Sequence, residues 1–388
     1  MLNVVFLGLV SFFADISSEM VYPIIPLYLT SVFGATPIII GVIEGIAESI
    51  ASLLKVYSGY ITDKYKKKKR IAFFGYSTGL IYKLVLIVAS TWTGILGARI
   101  IDRIGKGIRT APRDVMVSES ADKNKMGTAF GIHKALDMAG SAIGILLAFL
   151  LLSNANGDFN YKKLFLFSAI PALFSLLMFV FIKEKKDGHK IKEREPFWKN
   201  IKKLDGQLKL YLLVTFVFTL GNSSNAFLLL RAKNVGFNDN SVILLYFIYS
   251  ATASLLAIPL GKKSDKIGRK KLLVSGYVVF AVVYLGFAFA INKTIMVGMF
   301  ILYGVYTAMI AGVERAFIAE ISPFELRGTM LGLHATIIGV ALLPASLIAG
   351  TLWTYFGASA PFMFGAGLSL SAACVLFLLM KNSINNET

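Results

Sequence analysis

Cysteine is almost missing from the chain. Cys374 is the only one in 388 residues, so no intrachain disulfide can form. Histidine is nearly as scarce: His133, His189 and His334 stand far apart, and no spacing of His, Cys and acids suggests a metal site. Charged residues make up only 16% of the sequence, and no polar stretch is long enough for a soluble domain. The G-x-x-x-x-G-K-[ST] spacing of a phosphate-cradling loop is absent. Gly105-Lys-Gly-Ile-Arg-Thr110 is glycine-rich and basic but follows no strand, and its glycines are read as sites of close helix packing. No nucleophile and base stand in a recognisable pattern. An enzyme, an ATP-driven pump and a bound cofactor are therefore not expected. Met1 to Val10 has no basic region, so the first apolar run is read as a retained helix and not a cleaved signal.

Apolar sequence is what the chain has in quantity. Hydrophobic residues are 56% of the total and the mean hydropathy is +0.69. A membrane span needs about 20 mostly apolar residues. In lipid the backbone must satisfy its own polar groups, so such runs read as helices, and the period-two alternation of an outer-membrane barrel is absent. Spans are expected at 3–30, 37–60, 71–90, 92–114, 127–152, 162–182, 209–230, 241–260, 272–291, 294–318, 328–352 and 359–380. The reading is an all-α integral membrane protein of about twelve transmembrane helices. Pro112 is expected to bend or end the fourth span.

The net charge of +18 follows the loops. Lys64–Arg70 holds six basic residues, Lys183–Lys209 holds ten against five acids, and Lys262–Lys271 holds six. The alternate loops carry little beyond Lys162, Lys163, Arg231, Lys233 and Lys293. The positive-inside rule then makes the basic loops and both termini cytoplasmic. The charge reads as a topology signal and an attraction to anionic lipid, with no nucleic-acid partner. The polar segment 183–208 is read as a cytoplasmic linker, with an amphipathic surface helix around Phe197–Leu204, between a six-helix bundle at 1–182 and another at 209–388.

The two halves repeat. Gly127-Thr128-Ala-Phe-Gly131-Ile-His133 matches Gly328-Thr329-Met-Leu-Gly332-Leu-His334 at four of seven positions, displaced by 201 residues. Glu119 and Glu320 correspond at the same displacement. Gly59-Tyr-Ile-Thr-Asp63-Lys64 and Gly261-Lys-Lys-Ser-Asp265-Lys266 correspond at 202. Several matches at nearly one displacement indicate an internal duplication in the same orientation.

These residues resemble the major facilitator superfamily, whose loop after the second span reads G-x-x-x-D-[RK]-x-G-[RK]-[RK]. The second copy fits through Gly261, Asp265, Lys266, Gly268, Arg269 and Lys270. The first keeps Gly59, Asp63, Lys64, Lys67 and Lys68 but has Lys66 in place of the second glycine. The segments DISSEMVYPIIP, GKGIRTAPRD and LGNSSNAFLLLRA are similar to a prokaryotic subfamily of uncharacterised transporters within it. The resemblance implies the superfamily's fold of two pseudo-symmetric bundles and a secondary transporter of the cell membrane, expected as a monomer. It also implies a latch at the cytoplasmic gate, formed by Gly59, Asp63, Lys64, Gly261, Asp265, Arg269 and Arg327. The competing reading of the lysines is that they only fix topology. Ser322, Pro323 and Glu325 read as a capping box opening the eleventh span.

Ionisable residues within spans are costly and therefore informative. Asp15 and Glu19 are four apart and share a helix face, as do Glu44 with Glu48 and His133 with Asp137. Arg99 and Arg103 form one ridge of the fourth span, and Asp102, Lys106, Arg109 and Arg113 the next. The second half holds little beyond Glu314, Arg315 and His334. Desolvation favours a protonated carboxyl, and a basic neighbour favours the ionised form. A conformational change that exchanges these neighbours loads and releases a proton. Glu19, Glu48, Asp102, Asp137 and Asp15 are the candidates for proton coupling. Permanent buried ion pairs are the alternative, chiefly for Asp102 with Arg103 or Lys106. Arg99, Arg103 and Glu44, with Tyr22, Asn222, Ser224, Asn225 and Arg231, are candidate solute contacts. His133 and His334 either gate protons or are satisfied side chains inherited from the duplication. A proton-coupled transporter of a small organic solute is the leading reading. An uncoupled facilitator, a drug or siderophore exporter, and a non-transporting receptor are the alternatives. Gly140 and Gly144 stand as in the exporter pattern G-x-x-x-G-P, but Ile145 replaces its proline.

Overall fold

A computed structural model of the chain describes residues 2–65, 67–120, 126–153, 160–184, 205–310, 312–322 and 327–380. Regular structure among them is helical throughout. In chain order the helices are α1 (Leu2–Val21), α2 (Ile24–Phe33), α3 (Pro37–Tyr65), α4 (Lys68–Val88), α5 (Trp92–Glu119), α6 (Met126–Ser153) and α7 (Tyr161–Met178). There follow α8 (Gly206–Gly221), α9 (Ala226–Asn234), α10 (Asp239–Ile267), α11 (Arg269–Phe289), α12 (Lys293–Ile310), α13 (Val313–Ile321), α14 (Arg327–Phe356) and α15 (Ala360–Leu379).

Three spans expected as single helices are each two. The first breaks at Tyr22-Pro23, where the proline ring removes a donor and crowds the preceding turn. The seventh breaks between Gly221 and Ala226, with Asn222 at φ −98° and ψ 81°. No proline acts there. Ser224 Oγ accepts from the Ala226 N–H at 3.3 Å, so a side chain competes with the helix for a backbone donor. The tenth parts at Gly312, ahead of α13. Pro112 does not end the fourth span: α5 runs through it to Glu119. Proline costs an interior helix one hydrogen bond, and the turns on either side of Pro112 continue. The Ser322 hydroxyl donates back to the Ile318 carbonyl at the end of α13. The rest of that expected capping box, and residues 185–204 of the expected linker, lie outside the described residues.

Among the described residues, eleven segments are long and apolar enough to cross a membrane. α5 matches them in length, with 28 residues, but carries Arg99, Asp102, Arg103, Lys106, Arg109 and Arg113. At about 1.5 Å per residue it is long enough for the hydrocarbon core. Cys374 sits on an exposed face of α15.

The chain forms two compact units. The first comprises Met1–Ala35, Ile46–Lys192 and Asp239–Phe247. In it α1 packs on α6 and α7, and α4 on α5 and α7. Gly140 and Gly144 of α6 lie against the backbone of Phe12 and Ile16, where any side chain would collide. Gly105 meets Gly75 and Thr78, and Gly107 meets Ala51 and Leu54, as the packing reading of that segment requires. Ser17 Oγ donates to the Ser168 carbonyl at 2.7 Å and Ser175 Oγ to the Val10 carbonyl at 2.8 Å, fastening α1 to α7.

The second unit comprises Thr36–Gly45, Glu193–Asn238 and Ile248–Thr388. Here α11 packs on α12 and α15, and α8 on α14 and α15. Gly221 and Gly365 meet backbone to backbone. Stacked aromatic rings fill the interior: Phe218 lies 4.0 Å from Tyr277, and Phe280 lies 3.9 Å from Tyr284, centroid to centroid.

Candidate functional site

In the first unit the polar stripes of α1, α3 and α5 meet. Arg103 Nη2 holds Glu48 Oε1 at 2.9 Å. Asp102 Oδ2 lies 3.8 Å from Arg103 Nε and 4.0 Å from Arg99 Nη1, so one carboxylate is shared between two guanidiniums. Tyr22 stands at the break between α1 and α2. Arg99 and Arg103 approach its ring at 5.3 and 5.7 Å, and the Tyr246 ring lies at 5.8 Å. The Tyr246 hydroxyl in turn donates to Glu19 Oε2 at 3.5 Å. Arg99 is 1% exposed, whereas the Glu48 side chain is 28% exposed, so the cluster has a dry end and an accessible one.

A second group joins α1 to α6. Asp15 of α1 and Asp137 of α6 are close enough to interact electrostatically, and Lys134 Nζ binds Asp137 Oδ2 at 2.8 Å. One helical turn away, Ser11 Oγ lies 3.0 Å from both the Tyr76 hydroxyl and His133 Nε2. The Arg109 guanidinium stacks on Tyr76 at 4.3 Å.

The second unit carries its own polar residues. Ser224 Oγ donates to Glu44 Oε2 at 3.4 Å. The Tyr303 hydroxyl donates to Asn225 Oδ1 at 2.9 Å, and Asn222 Nδ2 donates to the Tyr306 hydroxyl at 3.2 Å. Tyr277 donates to Glu314 Oε1 at 3.4 Å. The break between α8 and α9 thus bears a row of amides and hydroxyls tied to two tyrosines of α12. His334 does not share the environment of His133. It stacks on Tyr211 at 5.8 Å, and its Nε2 is buried without a hydrogen-bond partner among the described residues.

Most of the residues singled out from sequence therefore fall into three groups: Tyr22, Glu19, Glu48, Arg99, Asp102 and Arg103; then Asp15 with Asp137; then Glu44, Asn222, Ser224 and Asn225. Arg231 stands apart. Its donors go to the carbonyls of Phe287 (2.8 Å), Ala288 (3.0 Å) and Ala290 (3.2 Å) and to Asn234 Oδ1 (2.5 Å). The side chains of Gly59, Asp63, Lys64, Gly261, Asp265 and Arg327 lie outside the described residues. Arg269, from the same loop, binds Glu320 at 2.8 Å. Sequence reasoning passed over Tyr246, Tyr303 and Tyr306. Their signal was spacing: Tyr246 with Tyr249, and Tyr303 with Tyr306, stand three apart on one helix face. No group of three or more His, Cys, Asp or Glu suited to a metal ion occurs among the described residues.

Comparison with known proteins agrees with this architecture. The chain is 38% identical over 383 residues to an uncharacterised MFS-type transporter of Methanocaldococcus jannaschii, covering 97% of this chain and 94% of that one. A mutant form of the nucleoside transporter NupG superposes with a TM-score of 0.84 at 12% identity, over 98% of this chain and 100% of that one. A D-xylose–proton symporter superposes with a TM-score of 0.77 at 16% identity, over 98% of this chain and 97% of that one. The family model of the Major Facilitator Superfamily matches twice, at residues 7–220 and again at 210–387. A helical, multi-pass architecture, a duplicated sequence and a double match to one family lead to a single assignment: the chain belongs to the Major Facilitator Superfamily.

Proposed function

We propose that the chain is a secondary active transporter that moves a small organic solute across the cell membrane by alternating access, with proton coupling. The observation that carries this reading is the cluster of Glu48, Arg103, Asp102 and Arg99 within membrane-spanning helices of the first unit. A carboxylate that is partly exposed and held by one guanidinium can change partner when its surroundings change, and so exchange a proton. Glu19 and the Asp15–Asp137 pair are the neighbouring candidates for the same work. Tyr22, Glu44, Asn222, Ser224 and Asn225, beside the two helix breaks, supply polar contacts of the kind an uncharged or zwitterionic solute uses. Interrupted helices in corresponding positions of two repeats are where transporters commonly build such sites. The D-xylose symporter's name supports proton coupling as a reading for this fold.

The remaining parts of the proposal follow the sequence. Bundles at 1–182 and 209–388, joined by a cytoplasmic linker, operate as a monomer with both termini in the cytoplasm. The repeated loops containing Gly59, Asp63 and Lys64 and Gly261, Asp265 and Arg269, with Arg327, latch the cytoplasmic gate. Anionic lipid holds the basic loops.

The test is flux in proteoliposomes with an imposed pH gradient, across a panel of sugars, nucleosides, drugs and siderophores. Solute accumulation driven by the gradient is expected, with Glu48→Gln and Asp137→Asn each losing the pH dependence. Solute movement with no accompanying proton movement would leave an uncoupled facilitator. Unchanged pH dependence in both variants would remove these carboxylates from the coupling role.

A further inference from the structure

The charges of the α3–α5 cluster are unequally placed. The side chains of Arg99, Arg103 and Asp102 are 2%, 5% and 9% exposed, against 28% for Glu48. Their contacts are unequal too. Arg103 Nη2 lies 2.9 Å from Glu48 Oε1, the length of a charge-assisted hydrogen bond. Asp102 Oδ2 stands 3.8 Å from Arg103 Nε and 4.0 Å from Arg99 Nη1, beyond that length. Asp102 therefore balances charge at those atoms, whereas Glu48 supplies an oxygen to the guanidinium.

The guanidiniums are also held in place from another side. Arg99 and Arg103, one turn apart on α5, both lie over the Tyr22 ring, at 5.3 and 5.7 Å. A ring engages the face of a guanidinium and leaves the N–H groups at its edge for oxygens in the guanidinium plane. The pair of Arg103 and Glu48 is thus dry at one end and wet at the other. Glu48 can leave for water at little cost. The guanidinium cannot follow, and once its partner has left it needs another anion.

We propose that the transported solute carries a carboxylate, which takes the place of Glu48 on Arg103. Glu48 is the stand-in that holds the guanidinium while no solute is bound. One anion replaces another, so the charge beside Arg103 and Asp102 is unchanged, and the displaced Glu48 turns to the accessible side and is hydrated. The fork of Arg103 matches a planar carboxylate through two parallel N–H···O bonds. An amide or alcohol of the same size brings no charge to replace that of Glu48. The proposal rests on the transporter reading above and narrows its solute to organic acid anions and zwitterions.

The experiment separates the site from the transport. Full-length Glu48→Ala, purified in detergent, is titrated with sodium acetate, acetamide and sodium chloride while its melting temperature is followed. Acetate is expected to raise the melting temperature saturably, and acetamide and chloride are not. The half-effect concentration of acetate should be at least about tenfold lower than in the wild type, where Glu48 competes for the same donors. Adding Arg103→Met to Glu48→Ala should abolish the response. Glu48→Gln serves in the same titration where Glu48→Ala does not fold. No stabilisation by acetate, or equal stabilisation by acetate and acetamide, would overturn the proposal. In proteoliposomes the wild type should move carboxylates such as lactate, nicotinate or amino acids, and not their amides. Flux confined to uncharged solutes would overturn the carboxylate assignment and leave the transporter standing. Acetate binding that depends on Arg103, with no flux of any solute, would keep the site and sink the transport reading.

Discussion

Arg231 shows how a charge inside a membrane span can be structural. It is 8% exposed, and its guanidinium collects the carbonyls of Phe287, Ala288 and Ala290. These are the carbonyls at the end of α11, which have no partner within their own helix. Three acceptors around one planar fork suit arginine and not lysine. Arg231→Ala is expected to destabilise the protein by about 3 kcal/mol, since hydrogen bonds to a charged group are worth roughly 1.5–3 kcal/mol each and the losses are not additive. Arg231→Lys should recover only part of this. Thermal unfolding in detergent measures both. A variant that melts like the wild type but loses solute binding would return Arg231 to the solute site. From the sequence, Arg231 was visible as an intramembrane charge. Its role was not, because that depended on α11 ending beside it. The carboxylates of α1, α3 and α5 were legible for the opposite reason: i, i+4 spacing fixes their face without knowledge of any neighbour.

Among the elements, hydropathy located the spans well but not their interruptions. The break in the first span falls at a proline, Pro23, which hydropathy does not register. The break at 222–225 has no comparable punctuation, only polar residues able to compete for backbone bonds. α5 was legible as a span although its charges exceed those of the other candidates. Its acids and bases pair with each other and with α3, so the cost of burying them is met locally. The packing of α1 against α6 yields a sharper expectation. Gly140 meets the Phe12 carbonyl and Gly144 the Ile16 carbonyl, which leaves no space for a side chain. Backbone cannot swing aside as a flexible side chain can. Gly140→Leu is therefore expected to cost about 2–3 kcal/mol through overpacking. Gly97, which has open space around it, should accept the same change with little effect. Melting temperatures of the two variants, measured side by side, test the contrast. Equal losses would mean that α1 and α6 are less closely packed than the structure has them.

Across the whole molecule the duplication reappears as chemistry. Lys68 binds Glu119 in one unit and Arg269 binds Glu320 in the other, both pairs displaced by 201 residues. The residues after them repeat a second device. Lys69 Nζ donates to the Ile182 carbonyl at 2.6 Å, and Lys270 Nζ donates to the carbonyls of Phe377 and Met380. The lysine-rich loops thus do more than set topology: within each unit they fasten the start of one helix to the end of another. Yet the two copies are not energetically equivalent. The Lys68 and Glu119 side chains are 7% and 21% exposed, against 31% and 29% for Arg269 and Glu320. Solvent screens the second pair, which places it in the range of about 0.2–1 kcal/mol. Removing Glu119 takes a carboxylate away from a largely buried ammonium, and breaking a buried pair costs about 3–5 kcal/mol. Glu119→Gln should therefore lower the unfolding temperature far more than Glu320→Gln. Adding Lys68→Met to Glu119→Gln should restore most of the loss, because a buried pair replaced by apolar side chains of similar volume is often neutral. The same rescue with Arg269→Met beside Glu320→Gln should gain almost nothing. Equal effects in the two units would mean that the pairs differ less in solvation than their exposure indicates, and that the symmetry of the sequence extends to its energetics.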